Sequence, residues 1–169
     1  HRVLCGDATH ASDVATLLAH DVPPLLVTDP PYGVEYDPLW RHRVNPRQRT
    51  AAGRVANDTR ADWRDALTHF SGDVAYMWHA GLHAGTVADA LTSRGFTIRS
   101  QIVWVKQSLV LSRGDYHWRH EPCWYAVRSG RRSGWVGDRR QTTVWEVPNL
   151  NPTGGHRDGE NAQIGRAHV

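Results

Sequence analysis

The stretch LLVTDPPYG, residues 25–33, decides the fold that we predict for this chain. An apolar run typical of a buried parallel strand ends at the carboxylate of Asp29, and two prolines and Tyr32 follow it. Because prolines fix φ and donate no backbone hydrogen bond, the strand is expected to end in a stiff turn. Asp29 and Tyr32 would then offer an acceptor and an aromatic face at the carboxyl end of the strand, where open α/β sheets bind ligands.

The rest of the chain alternates predicted strands and helices. Strands are predicted at 2–8, 24–28, 73–79, 96–106 and 121–128. One helix should carry Val14, Leu17 and Leu18 after a Thr9 or Ser12 cap, one should carry Trp63, Ala66, Leu67 and Phe70 after caps at residues 57–59, and one should span 81–93. No helical pattern separates the last two strands, so they are expected to pair antiparallel. The order predicts an open, mostly parallel sheet with helices on its faces.

Composition restricts the class of protein. The chain has 169 residues, of which 40% are hydrophobic and 22% charged, and this fits one soluble globular domain. No apolar stretch approaches the ~18 residues of a membrane span, so no membrane partner is predicted. Cys5 and Cys123 are far apart, which predicts neither zinc nor a disulfide framework and favours a cytoplasmic setting. His117 and His120 lack the second histidine of a zinc-protease motif, and no metal site is predicted.

The cations are unusual in kind. Lys106 is the only lysine, and the other nineteen cations are arginines, which suits contacts with phosphate and guanine. A GC-rich coding sequence would explain the same excess. The predicted DNA-binding arginines form a basic loop (Arg41, Arg43, Arg47, Arg49 and Arg54) and a second cluster (Arg131 and Arg132, with Arg139 and Arg140 beyond Trp135). The alternative for the loop is a solvated surface segment.

The turn after the strand has the parts needed to methylate an amino group. An exocyclic amino group of a base is a poor nucleophile, because its lone pair is delocalised into the ring. The Asp29 carboxylate and the Pro30 carbonyl could accept its two hydrogens and favour the charge that develops in the transition state. Pro31 would stiffen the turn, and Tyr32 would stack on a base taken out of the duplex. The alternative is a Pro-rich corner with an Asx-type turn.

Several further segments accompany this motif. They are HRVLCGDAT (1–9), NDTRADW (57–63), AYMWHA (75–80), IVWVKQSLVLSRGDYHWRHEPCWYA (102–126) and GDRRQTTVWE (137–146). Together with DPPY they resemble amino-methylating DNA methyltransferases, in the branch whose catalytic motif precedes the Gly-rich cofactor loop. The resemblance covers residues 1–161, which we interpret as one partial catalytic domain.

The resemblance implies a partial Rossmann-like α/β methyltransferase fold that uses S-adenosyl-L-methionine without a metal. Asp29, Pro30, Pro31 and Tyr32 would be catalytic, and Gly6, Asp7 and Asp29 would lie near the cofactor. The partner would be double-stranded DNA with a flipped target base, in a bacterial cytoplasm or encoded by a phage or mobile element. A cognate restriction endonuclease and the oligomeric state stay open. Asp115, Tyr116, His117 and Glu121 would either form the pocket wall or contact DNA.

Three functions stay open at this point. Aspartate at the first motif position favours N6 of adenine, whereas N4 of cytosine is the enzymatic alternative and a non-catalytic DNA-binding fragment is the third. The Gly-rich cofactor loop has no counterpart in residues 130–169, so the C-terminal cofactor half is expected to be missing and the chain to be inactive alone. Residues 164–169 read as a translated sequencing adapter, and we expect 162–169 to be a non-native tail.

Overall fold

A computed structural model describes residues 1–35, 55–110, 112 and 114–147. Its elements are α1 (Ala11–Leu18), β1 (Leu25–Thr28), α2 (Arg64–Leu67), β2 (Val74–Trp78), a 3₁₀ turn (Gly81–His83), α3 (Ala84–Ser93), β3 (Phe96–Val110), β4 (Trp118–Arg128) and β5 (Val144–Trp145). The predicted basic loop, with Arg41, Arg43, Arg47, Arg49 and Arg54, and the predicted tail 162–169 lie outside the described residues.

The five strands form one sheet in the order β1-β2-β4-β3-β5. β1 pairs parallel with β2, and β3 pairs parallel with β5. β4 pairs antiparallel with both β2 and β3, so four strands run in one direction and β4 runs in the other. The predicted α/β sheet and its antiparallel pair are therefore confirmed. The carboxyl ends of β1, β2 and β3 share one edge of the sheet, which we call the carboxyl edge; the amino edge lies opposite.

The sheet has a helical face and a second face. The helical face packs against α2 and α3 through a core of Trp63, Leu67, Ala75, Met77, Val87, Ala90, Leu91, Phe96 and Ala126. On α3 the three buried side chains follow helical spacing, as an amphipathic helix requires. The second face centres on a smaller cluster of Val74, Tyr76, Ile102 and Cys123. None of the described helices is long and apolar enough to cross a membrane.

The predicted helix caps are wrong. α1 begins after His10 and α2 after Trp63, and neither of these residues caps its helix through its side chain. The Arg64 N–H at the start of α2 is accepted by Asp62 Oδ1 at 3.0 Å, a residue that was not predicted as a cap. α2 is also only four residues long, although Trp63 and Leu67 are buried on the predicted side. Asp58, one of the predicted caps, is engaged elsewhere because its carboxylate binds backbone N–H groups near Gly33.

The predicted strand at 2–8 is also wrong. No strand occurs there, and Val3 is 96% exposed. A strand needs a neighbour for its backbone hydrogen bonds, and none of the described strands pairs with this segment. β1 differs from prediction in a related way. It reads as a central strand, but it lies at an edge of the described sheet, and Val27 is 56% exposed.

Candidate active site

Asp29 and the three residues after it follow β1 directly, at the carboxyl edge. The Tyr32 hydroxyl donates a hydrogen bond to Asp29 Oδ1 at 2.6 Å. Burial of the phenol, with this hydrogen bond, raises the pKa of Tyr32 well above its ordinary value. Tyr32 is therefore a neutral donor held beside the carboxylate, and the motif forms one compact acid–phenol pair.

Asp58 anchors the turn from a distant part of the sequence. Its side chain is almost fully buried, and Oδ1 accepts the backbone N–H groups of Gly33 at 3.0 Å and Val34 at 3.3 Å. Its own carbonyl accepts the N–H of Glu35 at 3.0 Å. Sequence reasoning quoted this segment but assigned Asp58 to a helix cap, so its role at the site was missed.

Gly33 is the point at which the turn touches this anchor. Its φ of 72° lies in the left-handed region, and a Cβ there would be 2.7 Å from the carbonyl carbon of Arg60. Only glycine fits such a position without a backbone shift. The Gly33 carbonyl also lies 3.3 Å from His83 Nε2. The 3₁₀ turn before α3 therefore contacts the motif as well.

Trp63 holds the second half of the turn. Its indole Nε1 donates a hydrogen bond to the Pro31 carbonyl at 3.0 Å. The Arg60 guanidinium lies 4.1 Å from the centre of the Trp63 ring and is ion-paired with Asp65. The bonded carbonyl is one residue beyond that of Pro30, which the sequence assigns to the substrate. The motif is thus fixed on its protein side through Pro31 and Gly33.

β4 brings a second acid and a thiol to the site. Glu121, ion-paired with Lys106, is one of the charges that raise the pKa of Tyr32. Cys123 is fully buried, and burial raises the pKa of its thiol to about 12, with the charge of Asp29 adding to the shift. The thiol is therefore protonated at neutral pH and is a packing group rather than a nucleophile.

His79, at the end of β2, is a buried group that sequence reasoning missed. It is 1% exposed and stacks on Trp124, with the ring centres 5.3 Å apart. Burial lowers its pKa, so the ring is neutral at pH 7. Nδ1 lies 3.0 Å from the Ala80 carbonyl, which makes Nδ1 the protonated nitrogen. Nε2 has no hydrogen-bond partner among the described residues.

Asp7 lies in a turn rather than at a strand end. Its Oδ1 accepts hydrogen bonds from the Thr9 backbone N–H at 2.8 Å and hydroxyl at 2.7 Å, and these bonds lower the pKa of Asp7. The charge of Arg60 lowers the pKa of Asp7 by a smaller amount. Asp7 is therefore within electrostatic reach of Arg60, whose backbone lies against Gly33. A Cβ on Gly6 would be 2.7 Å from Asp13 Oδ2, so a larger residue there would displace the Asp13 side chain.

The second arginine cluster is not brought to the motif. Arg131 follows β4 and therefore lies at the amino edge, where its Nε is 3.8 Å from Asp73 Oδ1. Arg131 and Arg132 border an open cavity of about 640 Å³. Arg139 and Arg140 line a different cavity of about 740 Å³ over the second face of the sheet. Within the described ranges, no group of three His, Cys, Asp or Glu is arranged to hold a metal ion.

The sheet and the position of the acidic turn define a partial Rossmann-like fold of the methyltransferase type. The chain is similar to M1.HpyAVI in complex with SAM, with a TM-score of 0.55, 15% identity, and coverage of 96% of this chain and 73% of that one. It is also similar to M1.HpyAVI alone, with a TM-score of 0.52, 16% identity, and coverage of 85% and 64%. No family model and no curated protein matches the chain. At these identities the likeness establishes the fold.

Proposed function

We propose that this chain is the catalytic and DNA-binding part of a DNA methyltransferase that transfers a methyl group from S-adenosyl-L-methionine to N6 of adenine. The observation that carries the proposal is the rigid Asp29–Tyr32 turn at the carboxyl edge of a methyltransferase-type sheet. The fold shared with M1.HpyAVI, which was solved with SAM, supports both the reaction class and the cofactor.

The proposed chemistry places Asp29 and Tyr32 on the target base. The Asp29 carboxylate and the Pro30 carbonyl accept hydrogen bonds from the amino group, which favours a pyramidal nitrogen and its developing positive charge. The aromatic face of Tyr32 stacks on the flipped base. Because the Tyr32 phenol is neutral and donates its hydrogen bond to Asp29, it orients the carboxylate next to its platform.

The anchoring contacts give the turn its catalytic value. Asp58, Trp63 and the close packing of Gly33 fix the motif before any substrate binds. A preorganised acceptor needs no reordering when the base arrives, and misplacement by about 1 Å can cost about 100-fold in rate. Prolines at 30 and 31 add stiffness to the same turn.

The residues proposed to hold the cofactor are Gly6, Asp7 and Asp29. S-adenosyl-L-methionine supplies a methyl group on a sulfonium centre, which suits direct displacement by an amino group. Asp7 fits a cofactor with hydroxyl and ammonium groups, because its carboxylate is ionised and Thr9 fixes its position. Gly6 adds no side chain beside that carboxylate.

The proposed DNA contacts divide by location. Arg131 and Arg132, at the amino edge, would contact phosphates far from the flipped base. Such contacts position the duplex and make binding depend on salt without specifying sequence. The five arginines at 41, 43, 47, 49 and 54 are proposed to contact phosphates as well.

The test is mass spectrometry of nucleosides from plasmid DNA in methylation-deficient cells. The cells express the chain joined to a C-terminal segment that carries a Gly-rich cofactor loop, here called the extended chain, with Asp29→Ala as control. We expect N6-methyladenine that disappears in the control. N4-methylcytosine would keep the mechanism and change the base. No methylated base from a folded protein that binds the cofactor would overturn the proposal.

A further inference from the structure

Asp29 and Trp78 are neighbours at the carboxyl edge of the sheet. β1 and β2 run parallel, and Thr28 lies opposite Met77 at the end of their paired region. The next residue along the chain is Asp29 after β1 and Trp78 within β2. Because adjacent strands are about 4.8 Å apart, these two residues lie side by side.

Both side chains belong to the second face of the sheet. Side chains alternate along a strand, and on β1 Leu25 packs in the second-face cluster whereas Leu26 packs in the helical core. Counting on from Leu25 in steps of two places Asp29 on the second face. Trp78 itself packs against the second-face cluster. The carboxyl group and the indole therefore share one surface.

The electrostatics of β4 agree with this placement. Cys123 lies opposite Trp78 and belongs to the same second-face cluster. The charge of Asp29 is one cause of the raised pKa of the Cys123 thiol, so the carboxyl group of Asp29 is close to this face. Asp29, Trp78 and Cys123 therefore follow one another across three adjacent strands, from the edge of the described sheet inward.

The Trp78 ring is held in place and keeps part of its surface accessible. Its centre lies 6.3 Å from that of Trp145, with the two ring planes tilted by 54°, and the residue is only partly buried. Of the aromatic side chains, tryptophan attracts a cation most strongly, and the attraction grows where water is partly excluded. An indole beside the carboxyl group of Asp29 is therefore a favourable place for a small cation.

The proposed function, on which this inference rests, brings a cation to the same place. An amino group that is hydrogen-bonded to Asp29 lies about 3 Å from the carboxylate oxygen, and reacting atoms approach to about 3–3.5 Å. The sulfonium centre of S-adenosyl-L-methionine, one bond beyond the methyl carbon, is then within roughly 8 Å of that oxygen. Trp78, the neighbour of Asp29 on β2, is within reach of this distance.

We propose that the Trp78 indole is a cation–π partner of the sulfonium centre and makes the site prefer the cofactor to its demethylated product. In the transfer the nitrogen gains the methyl group and loses one proton to water, while the sulfur keeps the electron pair of the broken bond. The product, S-adenosyl-L-homocysteine, is therefore a neutral thioether. The attraction to Trp78 is present before the transfer and absent after it, which favours exchange of product for fresh cofactor.

The test replaces Trp78 in the extended chain by tryptophans that carry one, three or four ring fluorines. Fluorine withdraws electron density from the ring face and changes the shape of the side chain little. Calorimetry measures the affinity for S-adenosyl-L-methionine and for S-adenosyl-L-homocysteine. We expect the affinity for the cofactor to fall with each added fluorine, by about 5- to 10-fold in all, and the affinity for the product to stay within about twofold.

The matched control carries the same fluorinated residues at Trp124. This tryptophan lies opposite Met77 on β4 and packs in the core of the helical face, so its fluorination should change neither affinity. Equal effects on both ligands at position 78, or no effect on either, would overturn the inference alone. An extended chain that is folded but binds neither ligand would contradict the proposed function itself.

Two ordinary substitutions give a second measurement of the same preference. Trp78→Leu should lower the ratio of cofactor affinity to product affinity by about 10-fold, and Trp78→Phe, which keeps an aromatic face, should lower it less. A role in packing alone would weaken both ligands equally and leave the ratio unchanged. An unchanged ratio in Trp78→Leu would therefore also overturn the inference.

Discussion

The two edges of the sheet use polar groups in opposite ways. At the amino edge, Arg128 donates hydrogen bonds to the carbonyls of Gly72 at 2.9 Å, Arg94 at 3.0 Å and Phe70 at 3.0 Å. Its guanidinium also lies 4.4 Å from the centre of the Phe96 ring. One side chain thus satisfies three backbone carbonyls, and its donor groups point into the protein.

At the carboxyl edge, the polar side chains are held in place by a turn that is anchored through its backbone. Within the described residues, the Asp29 side chain accepts a hydrogen bond from the Tyr32 hydroxyl, and both residues stand on this turn. Tyr116, between β3 and β4, is 92% exposed. The difference teaches that one edge stabilises the fold, whereas the other holds rigid the residues to which we propose to assign the chemistry.

The largest expected loss of stability comes from Asp58→Ala. The substitution leaves the N–H groups of Gly33 and Val34 without their acceptor and should lower the free energy of unfolding by about 3–4 kcal/mol. Methyl transfer by the extended chain should fall about 100-fold at a temperature where the variant is folded. Urea unfolding followed by tryptophan fluorescence, and transfer assays, measure both effects.

Two controls sharpen the Asp58 result. Asp58→Asn keeps an oxygen acceptor and should recover much of the stability and rate. Asp62→Ala removes an exposed ion pair with Arg64 and the acceptor of one backbone N–H at the start of α2, and should cost about 1 kcal/mol. A rate unchanged in Asp58→Ala would show that the turn does not need this anchor.

Arg128→Lys should destabilise the amino edge and leave the arrangement of the carboxyl edge unchanged. Lysine cannot reproduce the planar set of donors, so the free energy of unfolding should fall by about 2–3 kcal/mol. Below the unfolding transition, methyl transfer should stay within about twofold of wild type. Arg99→Lys, on an exposed part of β3, is the matched control. A large rate loss in folded Arg128→Lys would contradict the separation of the edges.

Much of the fold was predictable because it depends on local periodicity. Val87, Ala90 and Leu91 follow helical spacing on α3, and the apolar runs of β2 and β3 are readable as strands. The antiparallel pairing of β3 with β4 follows from the lack of a helix between them. Asp29 and Tyr32 were readable as a candidate site for the same reason, since the motif is contiguous.

The missed residues act over long separations in sequence. Asp58 is 25 residues from Gly33, and Arg128 is 56 residues from Gly72, so no local pattern reveals either contact. The error at 2–8 has a similar origin, because strand formation there depends on a neighbour that the local sequence does not specify. His79 was missed because its burial arises from packing against Trp124 on another strand.

Gly33→Ala tests the contact between the turn and its anchor. The left-handed φ and the short approach to Arg60 should together lower the free energy of unfolding by about 2 kcal/mol. Gly130→Ala is the matched control, because its φ is 76° but no atom lies within 4 Å of the added carbon. It should cost about 1 kcal/mol. Equal losses in chemical denaturation would show that the contact with Arg60 adds nothing.

The smallest effect concerns His79 and pH. Its pKa is lowered by burial from an ordinary value of 6.5, so the folded protein binds fewer protons there than the unfolded chain does. Stability should therefore fall as pH drops from about 6.5 to the lowered folded pKa, and stop changing below it. His79→Gln should remove this component, whereas exposed His20→Gln should not. If the stability of wild type and of His79→Gln depended on pH in the same way, the assignment of this component to His79 would be refuted.

The most direct test of the central claim measures transfer of a tritiated methyl group from S-adenosyl-L-methionine to duplex DNA. Extended chain and its Asp29→Ala variant are compared at equal folded concentration, with urea unfolding measured on the same samples. The account predicts a rate at least about 1000-fold lower in the variant, because the acceptor for the amino group is lost. The free energy of unfolding should fall by only about 1 kcal/mol, because the Tyr32 hydroxyl loses one hydrogen bond. A rate within tenfold of wild type would contradict the assignment of the carboxyl edge as the active site.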